Sequence, residues 1–210
     1  MTTRVLCIRH GETDWNATGR WQGHAPVPLN EIGLKQSATL GHYLVHNGFR
    51  VDAIYSSDLK RSLQTAEAVA VALGLPVHPD PRLREVDLGD WQGLTREEVE
   101  VWDPQRYTAF RADWYNIPTP NGESRSDLKR RARAVFDDLT ARHAGQTIAL
   151  VSHGGTLSML IESLFGPIER PSLSNTSLTL LEQPSPGAPW KLVRVAWSPH
   201  LDESPLDETW

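Results

Sequence analysis

The chain has 210 residues and a single cysteine, Cys7. A disulfide framework within one chain is excluded, which fits a reducing compartment. Cys7 lies inside an apolar run and reads as a small buried hydrophobe rather than a nucleophile. No apolar run approaches the ~20 residues of a membrane-spanning helix, and no signal peptide precedes the first apolar run. A cytoplasmic protein without a membrane partner is the expectation. Excess positive charge is missing as well: 21 Lys and Arg stand against 26 Asp and Glu, a formal charge of −5. That balance argues against a nucleic-acid partner, so an anionic ligand must be held by a local cluster of positive charge. Eight histidines are present, yet none falls in a His-Glu-x-x-His spacing, and no metal or other cofactor is expected. Repeats, linkers and low-complexity tracts are also lacking, so residues 1–210 read as one domain.

What is present is organised around residues 4–13, Arg-Val-Leu-Cys-Ile-Arg-His-Gly-Glu-Thr. Val5 to Ile8 is too short for a helix and reads as a strand buried on both faces. It stops at Arg9-His10-Gly11, with a glycine that lets the backbone turn. A second apolar run, Thr147 to Val151, stops at Ser152-His153-Gly154-Gly155. Two strands ending in His-Gly are the feature to explain, because ligands of open α/β sheets bind at the carboxyl ends of strands.

Between them, strands and helices alternate. A helix is expected over 31–46 with Asn30 as N-cap, a strand over 51–55, and a helix to about Leu73 opened by Ser56-Ser57-Asp58. Val77-His78 is a short strand, and residues 83–93 read as a loop. Thr95-x-x-Glu98 is a capping box for a helix to Trp102. The excursion at 94–125 covers something and is partly helical around 105–114. Ser124-x-x-Asp127 opens another helix, with an apolar stripe at Leu128, Ala132, Val135 and Leu139. A helix over 155–165 and late strands near 177–182 and 190–197 follow. The acidic, proline-containing tail from about 198 has the composition of a disordered end. The pattern predicts a three-layer α/β/α fold with a mostly parallel central sheet of about six strands and an antiparallel edge strand. Exposed late-strand edges leave a homodimer open.

The chemistry-bearing residues at strand ends and in the loops beyond are Arg9, His10, Asn16, Arg61, Glu85 and His153. Arg61 falls in the first turn of a helix, the wrong end for a cation unless an anion sits beside it. Guanidinium forks match phosphate oxygens. A neutral imidazole is a nucleophile near neutral pH, and its attack on phosphorus would give a phosphohistidine. A leaving alkoxide needs a proton; Glu85 is the nearest candidate acid, with Asp87 and Asp90 as alternatives. Asn16 is either a ligand or a turn cap. Lys129-Arg130-Arg131 reads as a solvated helix face, and the aromatics of the excursion as core.

Arg9-His10-Gly11-Glu12-Thr13 resembles the signature of the histidine phosphatase superfamily, the phosphoglycerate mutase-like proteins. The blocks Ser56 to Ala66, Leu83-Arg-Glu85 with Gly89-x-Trp91-x-Gly93, and Val151-Ser-His153-Gly-Gly155 resemble the family's later motifs in order. The resemblance covers almost the whole chain. It implies a phosphoglycerate mutase-like fold and a small phosphorylated metabolite as partner. It makes His10 the phosphorylated nucleophile and Glu85 the proton donor. Arg9, Arg61 and His153 become the phosphate pocket, with Asn16, Gln22, Gly23 and Gly154 beside the substrate. Cofactor-dependent mutases of this family carry a lysine after the third block and an adjacent arginine pair in the covering segment. Here Arg96 stands near the first place, Arg106 and Arg111 stand apart, and the excursion is acidic overall. A metal-independent phosphomonoesterase is therefore expected over a phosphoglycerate mutase; a non-catalytic phosphate-binding module is the remaining alternative.

Overall fold

The structure is a computed structural model and describes residues 1–167 and 173–202. Its strands are β1 (Thr3–Arg9), β2 (Ala53–Ser56), β3 (Val77–Pro79), β4 (Thr147–Ser152), β5 (Leu178–Gln183) and β6 (Lys191–Trp197). They form one sheet in the order β3-β2-β4-β1-β5-β6. β1, β2, β3 and β4 run parallel, β5 is antiparallel to β1, and β6 is antiparallel to β5. The mostly parallel sheet is as expected; its antiparallel side consists of two strands, and the outermost, β6, is the edge.

The helices are α1 (Asp14–Ala17), α2 (Glu31–His46), α3 (Lys60–Leu73), α4 (Arg96–Trp102), α5 (Pro104–Ala112), α6 (Arg125–Arg142), α7 (Gly154–Phe165) and α8 (Pro199–Asp202). Strand alternation divides the core into two layers. Leu6 and Ile8 of β1 pack with Leu40 and Leu44 of α2 and with Ala66 and Val69 of α3. Val5 and Cys7 pack on the opposite face with Val135, Phe136 and Leu139 of α6 and with Leu157 and Leu160 of α7. Cys7 is fully buried, and burial pushes its thiol up to about 12. It is an apolar filler, as its place in the strand implies.

The capping residues act at the expected positions in three cases. Asn30 accepts from Gly33 N–H at 2.8 Å, Thr95 and Glu98 form a reciprocal box, and Ser124 accepts from Asp127 N–H at 3.1 Å. The fourth differs. Helix α3 begins at Lys60 with Leu59 as N-cap and no side-chain cap, so Ser56, Ser57 and Asp58 do not cap it. Ser57 turns to His153, and Asp58 pairs with Arg84 at 2.6 Å.

Gly11 also serves differently. Its φ is not positive. A Cβ there would lie 2.6 Å from the Gly33 carbonyl oxygen, so glycine allows α2 to approach the turn after β1. The expected loop at 83–93 holds the end of one 3₁₀ turn and the whole of another, Pro81–Leu83 and Gly89–Trp91. The start of the tail is ordered: His200 in α8 is buried and bonds Thr176 at 2.9 Å. Residues 203–210 of the tail lie outside the described residues. No helix among the described residues is long and apolar enough to cross a membrane.

Candidate active site

The register of two strands brings the two imidazoles together. Arg9 of β1 pairs with Ser152 of β4, and His10 N–H continues the ladder to the Ser152 carbonyl at 2.9 Å. The next residue on each chain is therefore His10 or His153. Their ring centroids lie 5.1 Å apart, and both rings are buried.

Arg9, His10, Asn16, Gln22, Gly23, Arg61, Glu85 and Gly154 line one cavity of about 260 Å³ at this sheet edge. His153 is not on its wall; its ring lies beside that of His10 and is fully buried. Arg61 is in the first turn of α3 and 1% exposed, the placement that signalled an anion site. The N-terminus of α7 borders the cavity through Gly154 and Gly155, adding a second positive helix end.

A hydrogen bond assigns the role of the His10 ring. His10 Nδ1 lies 2.7 Å from the Gly11 carbonyl oxygen. A carbonyl only accepts, so Nδ1 carries the proton and Nε2 keeps a lone pair. Burial, reinforced by Arg61 and Arg9, holds the His10 pKa well below the ordinary 6.5. The same causes, with His10 and His24 adding to them, depress His153. Leu59 N–H donates to Ser57 Oγ at 3.2 Å, and Ser57 Oγ lies 2.8 Å from His153 Nε2. The Ser57 hydroxyl can donate to Nε2 or accept from it, so this contact pairs the two groups without assigning the His153 tautomer.

Three nitrogens at this edge are buried with no hydrogen-bond partner: Arg9 Nε and Arg61 Nε, both donors, and His153 Nδ1. A buried donor left unmet costs about 1–3 kcal/mol. Other donors of the same arginines bind backbone, Arg9 to Leu173 O and Arg61 to Gly23 O at 2.8 Å and Ala25 O at 3.1 Å. Burial lowers the Arg61 pKa to about 10, with Glu85 opposing, so its charge persists at neutral pH.

Glu85 lies at the mouth. Its Oε1 accepts from Val86 N–H at 2.9 Å and from Thr156 Oγ1 at 3.3 Å; its Oε2 accepts from Gly155 N–H at 2.9 Å. Of the three carboxylates considered for the acid, Glu85 alone is on the cavity wall. Asp87 faces His24 at 3.7 Å, and Asp90 takes Asn121 at 3.0 Å. Asn16 belongs to the capping box of α1 and also lines the cavity. Its Oδ1 accepts from Thr13 and Asn175, which leaves its amide NH₂ as the group available to a ligand.

Several contributors are absent from the sequence reading. Arg125 lines the cavity from the first turn of α6. The argument used for Arg61, a cation at a helix N-terminus, was available for it too. A Cβ on Gly155 would lie 2.4 Å from Glu85 Oε1 and 2.5 Å from Arg125 Nη1, so glycine permits those two groups to flank one spot. Arg131 is half-buried rather than solvated. It donates to the carbonyls of Arg82, Arg84 and Glu85 at 2.8–3.2 Å and pairs with Glu123 at 2.7 Å, which fixes the segment carrying Glu85. Its neighbours Lys129 and Arg130 pair with Glu162 and Asp127.

A second cavity of about 370 Å³ opens beside the first and shares Trp21, Leu88 and Arg125 with it. Its wall comes from the excursion, which is α4, α5 and their flanks: Arg96, Tyr107, Phe110, Arg111 and Trp114. The aromatics are thus divided. Trp91, just before the excursion, is buried core and on neither cavity wall; Tyr107 is buried core and, with Phe110 and Trp114, also faces the second cavity. The excursion's overall acidity does not describe this wall, which carries arginines and no carboxylate. Among the described residues no group of three His, Cys, Asp or Glu side chains is placed to hold a metal ion.

Comparison with known proteins adds the following. A family model described as the histidine phosphatase superfamily (branch 1) matches residues 5–197. A probable phosphoglycerate mutase, GpmB, of Yersinia pestis (strain Pestoides F) is 37% identical over 217 residues, covering 98% of each chain. The solved structure of Bacillus stearothermophilus YhfR superposes with a TM-score of 0.86 at 32% identity, covering 95% of this chain and 99% of that one. A mycobacterial glucosyl-3-phosphoglycerate phosphatase, solved with VO₃, gives 0.81 at 32% identity, covering 93% and 99%.

Proposed function

The chain belongs to the histidine phosphatase superfamily, branch 1, and from that premise we propose that it is a phosphomonoester hydrolase acting through a phosphohistidine on His10. The observation that carries this reading is the pair of unmet buried guanidinium donors, Arg9 Nε and Arg61 Nε, with the unpartnered His153 Nδ1, beside a neutral imidazole. Donors in that arrangement suit the equatorial oxygens of a phosphoryl group in transfer.

The first step is attack by the His10 Nε2 lone pair on phosphorus. An N–P bond forms, the ester P–O bond breaks, and its electron pair leaves on the alcohol oxygen. Glu85 gives that oxygen a proton. In the second step Glu85, now a carboxylate, takes a proton from water as the water oxygen attacks phosphorus. The N–P bond breaks, inorganic phosphate departs, and His10 returns with its lone pair. The bond from His10 Nδ1 to Gly11 O holds the ring in the attacking tautomer throughout. Arg9, Arg61 and His153 hold the phosphoryl oxygens, with Asn16, Gln22, Gly23 and Gly154 completing the substrate side. The charge is supplied by guanidiniums, so the chemistry proceeds without a metal.

Hydrolysis is favoured over mutase chemistry because the covering segment has no adjacent arginine pair, and Arg106 is drawn to Asp103 at 3.8 Å. The glucosyl-3-phosphoglycerate phosphatase among the similar structures supports the same choice. The GpmB name favours the second reading, a phosphoglycerate mutase. One pair of assays separates them. The hydrolase reading expects release of phosphate from an aryl phosphate in EDTA, and no isomerisation of 3-phosphoglycerate with catalytic 2,3-bisphosphoglycerate. Efficient isomerisation with weak ester hydrolysis would reverse the assignment.

A further inference from the structure

The outer cavity is larger than the phosphate pocket and takes no part in the steps above. Any ester seated with its phosphorus at His10 must send its alcohol toward the opening, where Trp21, Leu88 and Arg125 form the shared border. Beyond that border the wall has two chemistries. One is aromatic: Trp21 and Phe110 have ring centroids 6.3 Å apart, both stack against buried Trp91, at 5.8 and 5.3 Å, and Trp114 adds a further ring. The other is cationic: Arg96, Arg111 and Arg125.

Neither Arg96 nor Arg111 forms an ion pair with the excursion's acids among the described residues. Arg96 is held through its Nε–H to Tyr107 Oη at 2.6 Å, which fixes the guanidinium at the cavity wall. Arg111 makes no ion pair or hydrogen bond among the described residues. The nearby acids are engaged elsewhere: Glu98 with Arg20, Asp103 with Arg106, and Asp113 with Asn116. A wall of this kind is poorly matched to a small neutral alcohol, which would leave the rings wet and the guanidiniums without an anion.

We propose that the outer cavity binds the leaving group, and that this group is an aromatic alcohol carrying a second anion. The assignment rests on the hydrolase reading for what occupies the inner pocket. The rings take the apolar body by burial and stacking, and the guanidiniums take the anion.

The test uses propyl phosphate, phenylpropyl phosphate and carboxyphenylpropyl phosphate, whose primary alkoxide leaving groups are chemically matched. Expected is a rise in kcat/KM of about tenfold with the ring and about tenfold again with the carboxylate. Arg111→Gln, an exposed position, should bring the ratio between the two aryl esters to about one. Phe110→Ala should reduce the ratio of phenylpropyl to propyl ester. Values within twofold across the three esters, or a carboxylate gain that survives Arg111→Gln combined with Arg96→Gln, would overturn the proposal. Titration of the same esters into His10→Ala protein reads affinity apart from hydrolysis. Graded affinity without turnover by the native protein would sink the hydrolase reading and uphold the cavity; flat affinity with good turnover would do the reverse.

Discussion

The inner and outer cavities touch, yet they are built in opposite ways. The inner one is made where strand ends and helix starts converge. Its key side chains are buried, its rings are anchored by Gly11 O and Ser57, and its positions follow from the pairing of β1 with β4. The outer one is made mostly from one excursion, with Trp21 and Leu88 at its border, and the excursion's cationic side chains Arg96 and Arg111 are exposed. On the proposed function, the contrast is a division of labour: strand and helix ends position the reaction, and a surface wall meets whatever is attached to the phosphate.

If that division holds, changes in the inner pocket should affect every ester alike. The largest effect is expected for His10→Ala: turnover of all phosphate esters should fall by about 10⁴ or more, with phosphate affinity largely kept. Steady-state rates and calorimetric titration with inorganic phosphate check this. Glu85→Gln comes next and sharpens the acid's role. In the phosphorylation step, read as single-turnover release of the alcohol, alkyl phosphates should slow by about 10²–10⁴, while 4-nitrophenyl phosphate, whose leaving group needs no proton, slows far less. Equal losses for both would remove Glu85 as the proton donor.

Arg131→Gln tests whether the inner pocket depends on support from behind it. Freed of its three carbonyl bonds, the segment with Glu85 should loosen. A kcat about tenfold lower, little change in KM, and a stability loss of about 1–3 kcal/mol in denaturant titration are expected.

The smallest effect is on stability against pH. His10 and His153 stay neutral in the fold well below 6.5, whereas the unfolded chain protonates both near 6.5. The unfolded state therefore binds more protons as pH falls. The stabilisation from keeping both rings neutral is full above about pH 6.5 and declines below it, by up to about 1.4 kcal/mol per pH unit for each ring. Unfolding titrations between about pH 5 and 7.5 should show this slope, reduced by about half in His153→Gln. An unchanged slope would mean that His153 is protonated in the folded protein.

Most of the inner pocket was legible because its signals are local. An apolar run ending in Arg9-His10-Gly11, a second ending in His153-Gly154, and an arginine at the start of α3 each place a group from neighbouring residues alone. The sheet followed from the alternation of strands and helices, as did the two-faced burial of β1. What escaped the reading depends on contacts between distant segments. Ser57 looks like a cap in sequence and is claimed by His153, 96 positions away. Arg131 looks solvated and is claimed by carbonyls at 82–85. The acidic balance of the excursion hid a cationic wall, because net charge does not say which side chains share a face. Arg125 was the exception, missed although its place in a capped first turn was visible.

The account turns on covalent transfer to one imidazole. Mixing the native protein with an aryl phosphate, quenching in base, and mapping the labelled peptide by mass spectrometry tests it directly, because phosphohistidine survives base. The account predicts one phosphoryl group on His10, formed no more slowly than turnover and absent in His10→Ala. A phosphoryl group on another residue, or hydrolysis that continues in His10→Ala, would contradict it.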